Sequence, residues 1–186
     1  MRKMILCMTI SLDGVAAPEA KGAFDFTAEG AWGDKLTTLE TVDTILIGAR
    51  MHREYLDHWQ AALTSPTAGD SERRYAGIAA RTPHLVLSRT LREVKWPNAE
   101  VLHEGVDGIA DLKKRAGRDI LMWGGPTAAA AAIEAGVIDE YHFVVYPVIA
   151  GRGKKLFDNL AALRRLQLKD SKAYSSGVLA LKYASA

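Results

Sequence analysis

The sequence has one cysteine in 186 residues, almost no excess of charge of either sign, and no apolar run long enough to cross a bilayer. Cys7 cannot form an internal disulfide, and its place in the apolar run from Met4 to Ile10 predicts a core residue. Arg2 and Lys3 precede that run, which is too short for a signal peptide and has no cleavage site after it. We therefore expect a soluble, cytoplasmic protein.

Several functional classes lack their required residues. With 24 basic and 22 acidic side chains the net charge is +2, so neither nucleic acid nor a membrane surface is an expected partner. The five histidines lack the spacing of a helical zinc pair, and we predict no metal site. No G-x-S-x-G elbow is present. The segment 151–155 (GRGKK) is not a P-loop, because that motif needs glycine at Val148 and Ser or Thr at Lys155.

What is present is an alternation of strand-length apolar runs with helical patterns. Strands are predicted at residues 3–11, 44–48, 84–88, 101–102, 119–123 and 140–150, and a closing hairpin at 164–176 and 177–185. Helices are predicted at residues 34–41 with Asp34 as N-cap, at 50–61, 71–80 and 109–116, and after Pro126. This order predicts one α/β domain over residues 1–186, with a mixed, mostly parallel sheet flanked by helices and a C-terminal antiparallel hairpin.

Four of the predicted strands end in residues suited to ligand binding. Ligands of such sheets bind beyond the carboxyl ends of the strands. The four segments found there combine glycine with hydroxyl or charged side chains: Ser11-Leu12-Asp13-Gly14, Gly48-Ala49-Arg50, Ser88-Arg89-Thr90 and Trp123-Gly124-Gly125-Pro126-Thr127. Their recurrence at successive strand ends favours a binding site over chance.

The glycine pair before Pro126 raises two alternatives. A helix that opens there has free N–H groups and a positive dipole end, which suit an anion such as pyrophosphate. Proline fits the first helical turn because its missing N–H costs nothing there. The alternative is a plain tight turn. The segment does not match the dinucleotide fingerprint G-x-G-x-x-G.

The charged residues at the other strand ends are also open to two interpretations. Ser88 and Arg89 could hold a 2′-phosphate and select NADPH over NADH, or form a solvent-facing turn. Arg50 follows Gly48 at a helix start, where a cation opposes the helix dipole and therefore hints at a bound anion. Asp13 is most simply interpreted as a turn residue, although it could orient an amide or a ribose.

Taken together, the blocks SLDG, DTILIGARMHREYLDHW, PHLVLSRTL and DILMWGGPTAAAAAIEAGVIDEYHFVVYPVIAGRGKKLF resemble the dihydrofolate reductase-like superfamily. The closest branch is the C-terminal reductase domain of the bifunctional riboflavin biosynthesis protein and its free-standing bacterial relatives. The resemblance implies that fold, NADPH as hydride donor, and a homodimer.

The resemblance also implies roles for residues at matching positions. Asp13 follows the first strand, where riboflavin-type reductases touch the cofactor. The other implied cofactor contacts are Gly48 and Arg50 at the adenosine phosphates, Ser88 and Arg89 at the 2′-phosphate, and Gly124, Gly125, Pro126, Thr127 and Ala128 at the pyrophosphate. The family's Gly-Arg-x-Thr motif is not kept, since Ala49 and Met51 occupy the Arg and Thr places.

The residues expected to contact the substrate depart further from the family's pattern. Riboflavin-type reductases usually carry a glutamate before the glycine turn, where this chain has Trp123. Its side chain points into the core or into a pocket, and strand alternation with Leu121 favours the core. Trp32 is a second candidate for substrate contact. Glu29 and Asp34, along with Asp13, are candidate catalytic carboxylates. The spacing of Glu29 and Asp34 from Trp32 does not fit the carboxylate of dihydrofolate reductases, which favours a capping or solvated role for both. The proton donor is not identified.

The resulting hypothesis is an NADPH-dependent reductase that transfers a hydride to a small heterocyclic, carbonyl or imine substrate. It resembles dihydrofolate reductase and the 5-amino-6-(5-phosphoribosylamino)uracil reductase of riboflavin biosynthesis. The alternative is a module that binds a nucleotide or another small ligand without turnover.

Overall fold

The computed structural model describes residues 1–24, 29–158 and 160–186, with side chains described for all of these except residues 29–32. Its strands are β1 Met4–Ser11, β2 Val15–Pro18, β3 Val42–Gly48, β4 His84–Leu87, β5 Ala99–Leu102, β6 Asp119–Met122, β7 Glu140–Tyr146, β8 Gly153–Lys155, β9 Leu166–Ala173 and β10 Leu179–Ser185. Its helices are α1 Glu29–Thr41, α2 His52–Thr64, α3 Asp70–Arg81, α4 Ile109–Lys114 and α5 Pro126–Glu134, and a 3-10 turn at Gly105–Gly108 precedes α4.

Eight strands form one sheet in the order β5-β4-β3-β6-β1-β7-β10-β9. Every neighbouring pair from β5 to β7 is parallel, and β10 is antiparallel to both β7 and β9. This confirms the predicted mixed, mostly parallel sheet with helices on its faces and a closing antiparallel hairpin. No helix of the described part is long and apolar enough to cross a membrane.

Strand alternation divides the core between the two faces of the sheet. Along β1, Met4, Leu6 and Met8 pack in the cluster that includes α4 and α5. Ile5 and Cys7 pack on the opposite face, in the cluster that includes α1, α2 and α3. Cys7 is 6% exposed, so its prediction as a core residue is confirmed.

Two predicted boundaries were wrong. Helix α1 begins at Glu29, so Asp34 lies inside the helix and is not its N-cap; its carboxylate instead accepts a hydrogen bond from the Tyr174 hydroxyl. The segment 29–33, which contains two glycines, therefore belongs to the helix, although glycine has a low helix propensity. Strand β7 ends at Tyr146 and does not continue to residue 150. Pro147 follows it and has no N–H to give to a ladder.

A two-stranded ribbon that the sequence did not predict lies beyond the carboxyl end of β1. Strands β2 and β8 pair antiparallel, and the Leu156 N–H donates to the Gly14 carbonyl at 3.0 Å. Gly153 has φ of +134°, and a Cβ there would lie 2.4 Å from the Ala17 carbonyl oxygen. The ribbon therefore requires glycine at position 153.

Asp13 fastens the first loop to the loop before β8. One carboxylate oxygen accepts from the Ser11 hydroxyl at 2.6 Å and from the Ala150 N–H at 2.9 Å, and the other accepts from the Gly151 N–H at 2.8 Å. The Ser11 hydrogen bond, followed by the backbone bonds, lowers the pKa of Asp13 to about 2. The structure thus gives Asp13 a loop-bracing role.

Replacing this carboxylate should change how stability depends on pH. Because the folded-state pKa of Asp13 is depressed, its contribution is complete above the unfolded pKa of about 3.9 and is lost as the pH falls towards 2. Between pH 6 and pH 2.5 the Asp13→Asn variant should therefore lose less unfolding free energy than the wild type. Urea unfolding at both pH values measures this, with Asp57→Asn on α2 as control. Parallel losses in wild type and Asp13→Asn would contradict it.

Candidate functional site

A cleft of about 800 Å³ opens at the carboxyl ends of β3 and β4, beside the first turn of α5. A volume of this size is typical of small-molecule and cofactor sites. The strand-end segments of β3, β4 and β6 meet there, as their shared edge of a parallel sheet requires. The predicted cofactor contacts that line it are Gly48, Arg50, Ser88, Arg89, Gly125, Pro126, Thr127 and Ala128. Gly124 lines the adjoining pocket instead, and Asp13 lines neither cavity.

The glycine pair is required by the backbone itself. Gly124 and Gly125 have φ of +88° and +83°, a conformation that residues with a Cβ rarely adopt. A Cβ on Gly125 would also lie 3.4 Å from the Cα of Gly48. A Cβ on Gly48 would approach that of Ala128 to 3.2 Å. Glycine is thus needed for the turn and for the close approach of β3 to α5, and it leaves backbone exposed on this side of the cleft.

The first turn of α5 presents hydrogen-bond donors to the cleft. Helix geometry leaves the N–H groups of Thr127 and Ala128 without an intrahelical partner, and the Ala129 N–H is the first to bond back, to the Gly125 carbonyl at 2.9 Å. Lys154 on β8 donates from Nζ to the Thr127 hydroxyl oxygen at 2.6 Å. Backbone donors, the helix dipole and an ammonium group therefore coincide at one point, which is a favourable anion site.

The sequence analysis does not identify Lys154 as a site residue, because the basic loop at 151–155 does not match a P-loop. The signal that could have indicated an anion site is the combination of glycines and cations within this loop. Pairing of β8 with β2 brings this lysine to the start of α5, 27 positions away in sequence.

At the β4 end of the cleft, Arg89 donates to Asp107 at 2.5 Å. Both side chains are exposed, at 71% and 74%, so the pair is well solvated and contributes little to stability. The Ser88 hydroxyl oxygen accepts from the Leu91 N–H at 2.9 Å, which places Ser88 in the turn after β4. Arg50 is exposed on the cleft wall. Asp107 was not predicted, and it puts a carboxylate beside the arginine.

A second pocket of about 410 Å³ adjoins the cleft, and Met51, Gly125 and Pro126 line both. Trp123 forms part of its wall. The indole also packs on the core, with its ring centroid 5.2 Å from that of Tyr75. Both of the environments predicted as alternatives for Trp123 are therefore present: one part of the ring contacts the core and another faces the pocket.

Lys35 enters this second pocket from α1. Its Nζ donates to the Thr9 hydroxyl at 3.3 Å and lies 5.5 Å from the centre of the Trp123 ring. Burial lowers the pKa of the Lys35 ammonium, and burial raises the pKa of the neighbouring Cys7 thiol. The pocket therefore combines a buried lysine side chain with a buried thiol and an aromatic wall. Lys35 was not predicted as a site residue.

The carboxylates considered as proton donors are placed elsewhere. Asp13 braces two loops, and Asp34 contacts Tyr174 and Lys172; neither lines the cleft or the second pocket. The side chains of Glu29 and Trp32 lie outside the described residues. Within the described ranges, no group of three or more His, Cys, Asp or Glu side chains could hold a metal ion.

Comparison with known proteins supports the assignment of the fold. The uncharacterized protein YyaP of Bacillus subtilis strain 168 is 27% identical over 182 residues, 98% of this chain and 94% of YyaP. A pyrimidine reductase-like protein from Corynebacterium diphtheriae superposes with a TM-score of 0.64 at 16% identity, covering 100% of this chain and 92% of that protein.

Part of a larger enzyme has the same fold. The diaminohydroxyphosphoribosylaminopyrimidine deaminase/5-amino-6-(5-phosphoribosylamino)uracil reductase of Thermotoga maritima superposes with a TM-score of 0.70 at 14% identity, covering all of this chain and 57% of that protein. The fold is therefore dihydrofolate reductase-like, as the resemblance implied. The family model of the RibD C-terminal domain matches residues 2–180. The chain therefore belongs to the RibD C-terminal domain family.

Proposed function

We propose that the protein is a cytoplasmic, NADPH-dependent reductase of a small molecule. The observation that carries this is the start of α5, where Gly125, the N–H groups of Thr127 and Ala128, and Lys154 lie together on one wall of the cleft. Reductases among the structural neighbours support the same activity class. When bound, NADPH supplies the hydride; the protein supplies alignment and a pocket that limits water.

The residues present fit a phosphorylated dinucleotide. The N–H groups of Thr127 and Ala128 and the Lys154 ammonium suit a pyrophosphate, because each donates a hydrogen bond to anionic oxygen. Arg89, at the β4 end of the cleft, suits a 2′-phosphate through its guanidinium fork. Ala49 and Met51 replace the family's arginine and threonine, and Arg50 on the cleft wall supplies a positive charge nearby.

Asp107 opposes part of this arrangement. Its carboxylate holds Arg89 in the cleft in the absence of a phosphate, and it repels a phosphate that approaches the same guanidinium. NADPH binding must therefore displace Asp107 from Arg89 or share the arginine with it. This makes Asp107 the residue that limits the preference for NADPH over NADH.

The first prediction of this proposal concerns cofactor choice. Arg89→Ala should weaken NADPH binding by about 1.5–3 kcal/mol, the usual contribution of a charged hydrogen bond, and leave NADH binding nearly unchanged. Asp107→Asn should tighten NADPH binding relative to wild type. Arg74→Ala is the matched control, since Arg74 is also exposed and ion-paired, with Glu40, but lies outside the cleft. Calorimetric titration measures all four proteins.

Equal losses for the two cofactors in Arg89→Ala would show that this arginine acts structurally. If the wild type binds neither cofactor, the reductase proposal is wrong. Binding of NADPH without its oxidation in the presence of pterins, aminopyrimidines, quinones or aromatic aldehydes would favour the alternative, a non-catalytic nucleotide-binding module.

A second prediction separates the pyrophosphate site from the 2′-phosphate site. Lys154→Ala should weaken NADPH and NADH binding by the same factor, about fivefold to tenfold for an exposed charged hydrogen bond. Its neighbour Lys155 lies outside the cleft, so Lys155→Ala should leave both affinities unchanged. Fluorescence titration with each cofactor measures the ratios. A Lys154→Ala variant that discriminates between NADPH and NADH would contradict the assignment.

The homodimer also belongs to this proposal, and the closing hairpin supports it. All eight residues of the edge strand β9 are exposed, and Leu166 and Leu168 lie on the face that continues from the partly buried Tyr183. Exposed apolar side chains on an unpaired edge strand favour association with another chain. Val144 on β7 does not contribute to this surface, because it is 4% exposed and packs in the core.

We therefore expect a dimer by light scattering at micromolar concentration. Leu168→Glu should shift the protein to a monomer, because it places a charge on the apolar face of β9. Lys169→Glu changes a side chain on the opposite face of the same strand and should leave the dimer intact. A wild-type monomer, or dimers that persist in Leu168→Glu, would rule out this surface.

A further inference from the structure

A surface groove of about 530 Å³ lies between the start of α2 and the segment that follows β4. Its lining residues come from one face of the helix and from a single run of the chain: His52, Arg53, Leu56, Asp57 and residues 91–95. None of them lines the cleft or the second pocket. The groove is therefore separate from the proposed cofactor site.

The run 91–95 is extended backbone without main-chain partners. It contains no turn or bend, and the Ser88 hydroxyl fixes its start by accepting from the Leu91 N–H at 2.9 Å. From Arg92 to Lys95, no N–H or carbonyl group forms a hydrogen bond with any described residue. Open donors and acceptors on an extended chain can pair with a second extended chain, as they do at the edge of a sheet.

The floor of the groove is apolar. Leu56 on α2 is 5% exposed, and Leu91 and Val94 are partly buried against the same core cluster. Side chains of an extended chain point alternately to its two sides. A second chain paired with the run 91–95 can therefore place every other side chain on this floor.

The rims of the groove carry charged side chains. Three are cations, Arg53, Arg92 and Lys95, and two are carboxylates, Asp57 and Glu93. None of the five has an ionic partner in the part of the chain that the structure describes, although Arg53 and Asp57 have the i, i+4 spacing that brings side chains together on a helix. The first turn of α2 adds the positive end of the helix dipole. The groove is thus complementary to a ligand with an excess of negative charge.

One kind of ligand uses all three features. A small anion would contact the cations alone, and an uncharged apolar molecule would cover the floor alone. A peptide in extended conformation, rich in acidic residues and with apolar residues between them, pairs with the open backbone, meets the cations and covers the floor.

We propose that this groove docks an extended, acidic peptide segment of another protein. The inference is independent of the proposed reductase activity. The residues of α2 that line the cleft are Arg50, Met51 and Glu54, outside the groove. A docked peptide therefore leaves the cleft open to its own ligand.

The capped, fluorescein-labelled peptide ELEVELE tests the proposal in a fluorescence polarisation titration. It should bind the wild type, and KLKVKLK should bind at least tenfold more weakly because its charges have the sign of the excess cations. Raising NaCl from 50 to 300 mM should weaken ELEVELE binding, since the cations are exposed. Glutarate at the concentration of the peptide should not displace it.

Methylation of the peptide tests the main-chain pairing. Successive N–H groups of an extended chain point to opposite sides, so only one alternate set can face the run 91–95. Methylating that set of ELEVELE nitrogens should weaken binding at least fivefold, and methylating the other set should change it less than twofold. Equal effects of the two sets would contradict pairing.

Charge reversal locates the peptide on the protein. Arg92→Glu and Arg53→Glu, on opposite sides of the groove, should each weaken ELEVELE binding at least fivefold. Lys169→Glu reverses an exposed cation on β9, outside the groove, and should change binding less than twofold. Circular dichroism melts that match wild type exclude misfolding of the variants as the cause.

The remaining outcomes separate the groove from the cofactor proposal. No binding of ELEVELE, equal binding of KLKVKLK, displacement by glutarate, or undiminished binding in the two groove variants would overturn the docking site. Displacement of ELEVELE by NADPH would place the peptide in the cleft and would overturn it too. A wild type that binds ELEVELE but not NADPH would contradict the reductase proposal and leave the docking site supported.

Discussion

The candidate site depends on the close packing of the end of β3 against the first turn of α5. Gly48, Gly125 and Ala128 meet with so little space that a Cβ on either glycine would lie 3.2–3.4 Å from its neighbour. Because neither glycine carries a side chain, the backbone donors of α5 remain accessible from the cleft. The anion-binding character of this wall is thus a result of packing inside the domain. Larger residues here would affect the fold and the site together.

The two cavities differ in how exposed their charged side chains are. In the large cleft the cations are exposed, and one of them already has an acidic partner in Asp107. Such groups bind an anion that arrives with its own hydration, and salt weakens them. In the second pocket Lys35 is largely buried and lies against the Thr9 hydroxyl and the Trp123 ring.

The sequence predicted the fold because its apolar runs have the periods of buried strands and helices, and it predicted the cleft because parallel strands bring their ends to one edge. Gly48, Ser88, Arg89 and the glycine turn all lie where that argument places them. Local patterns do not reveal contacts between distant segments, so Lys154 was not predicted as a site residue. The prediction of Asp34 as an N-cap was wrong for the opposite reason: the local sequence signal was strong, but the helix starts earlier, at Glu29.

The ribbon of β2 and β8 has a consequence for the order in which the molecule assembles. Its strands are more than a hundred residues apart in sequence, and they can pair only after β7 has docked beside β1. Contacts of such long range form late, because the intervening chain must first lose its freedom. During synthesis, a nascent chain that has already formed β1, β3 and α5 still lacks the lysine that faces the helix start. The candidate anion site at the start of α5 is therefore complete only after β8 has paired with β2.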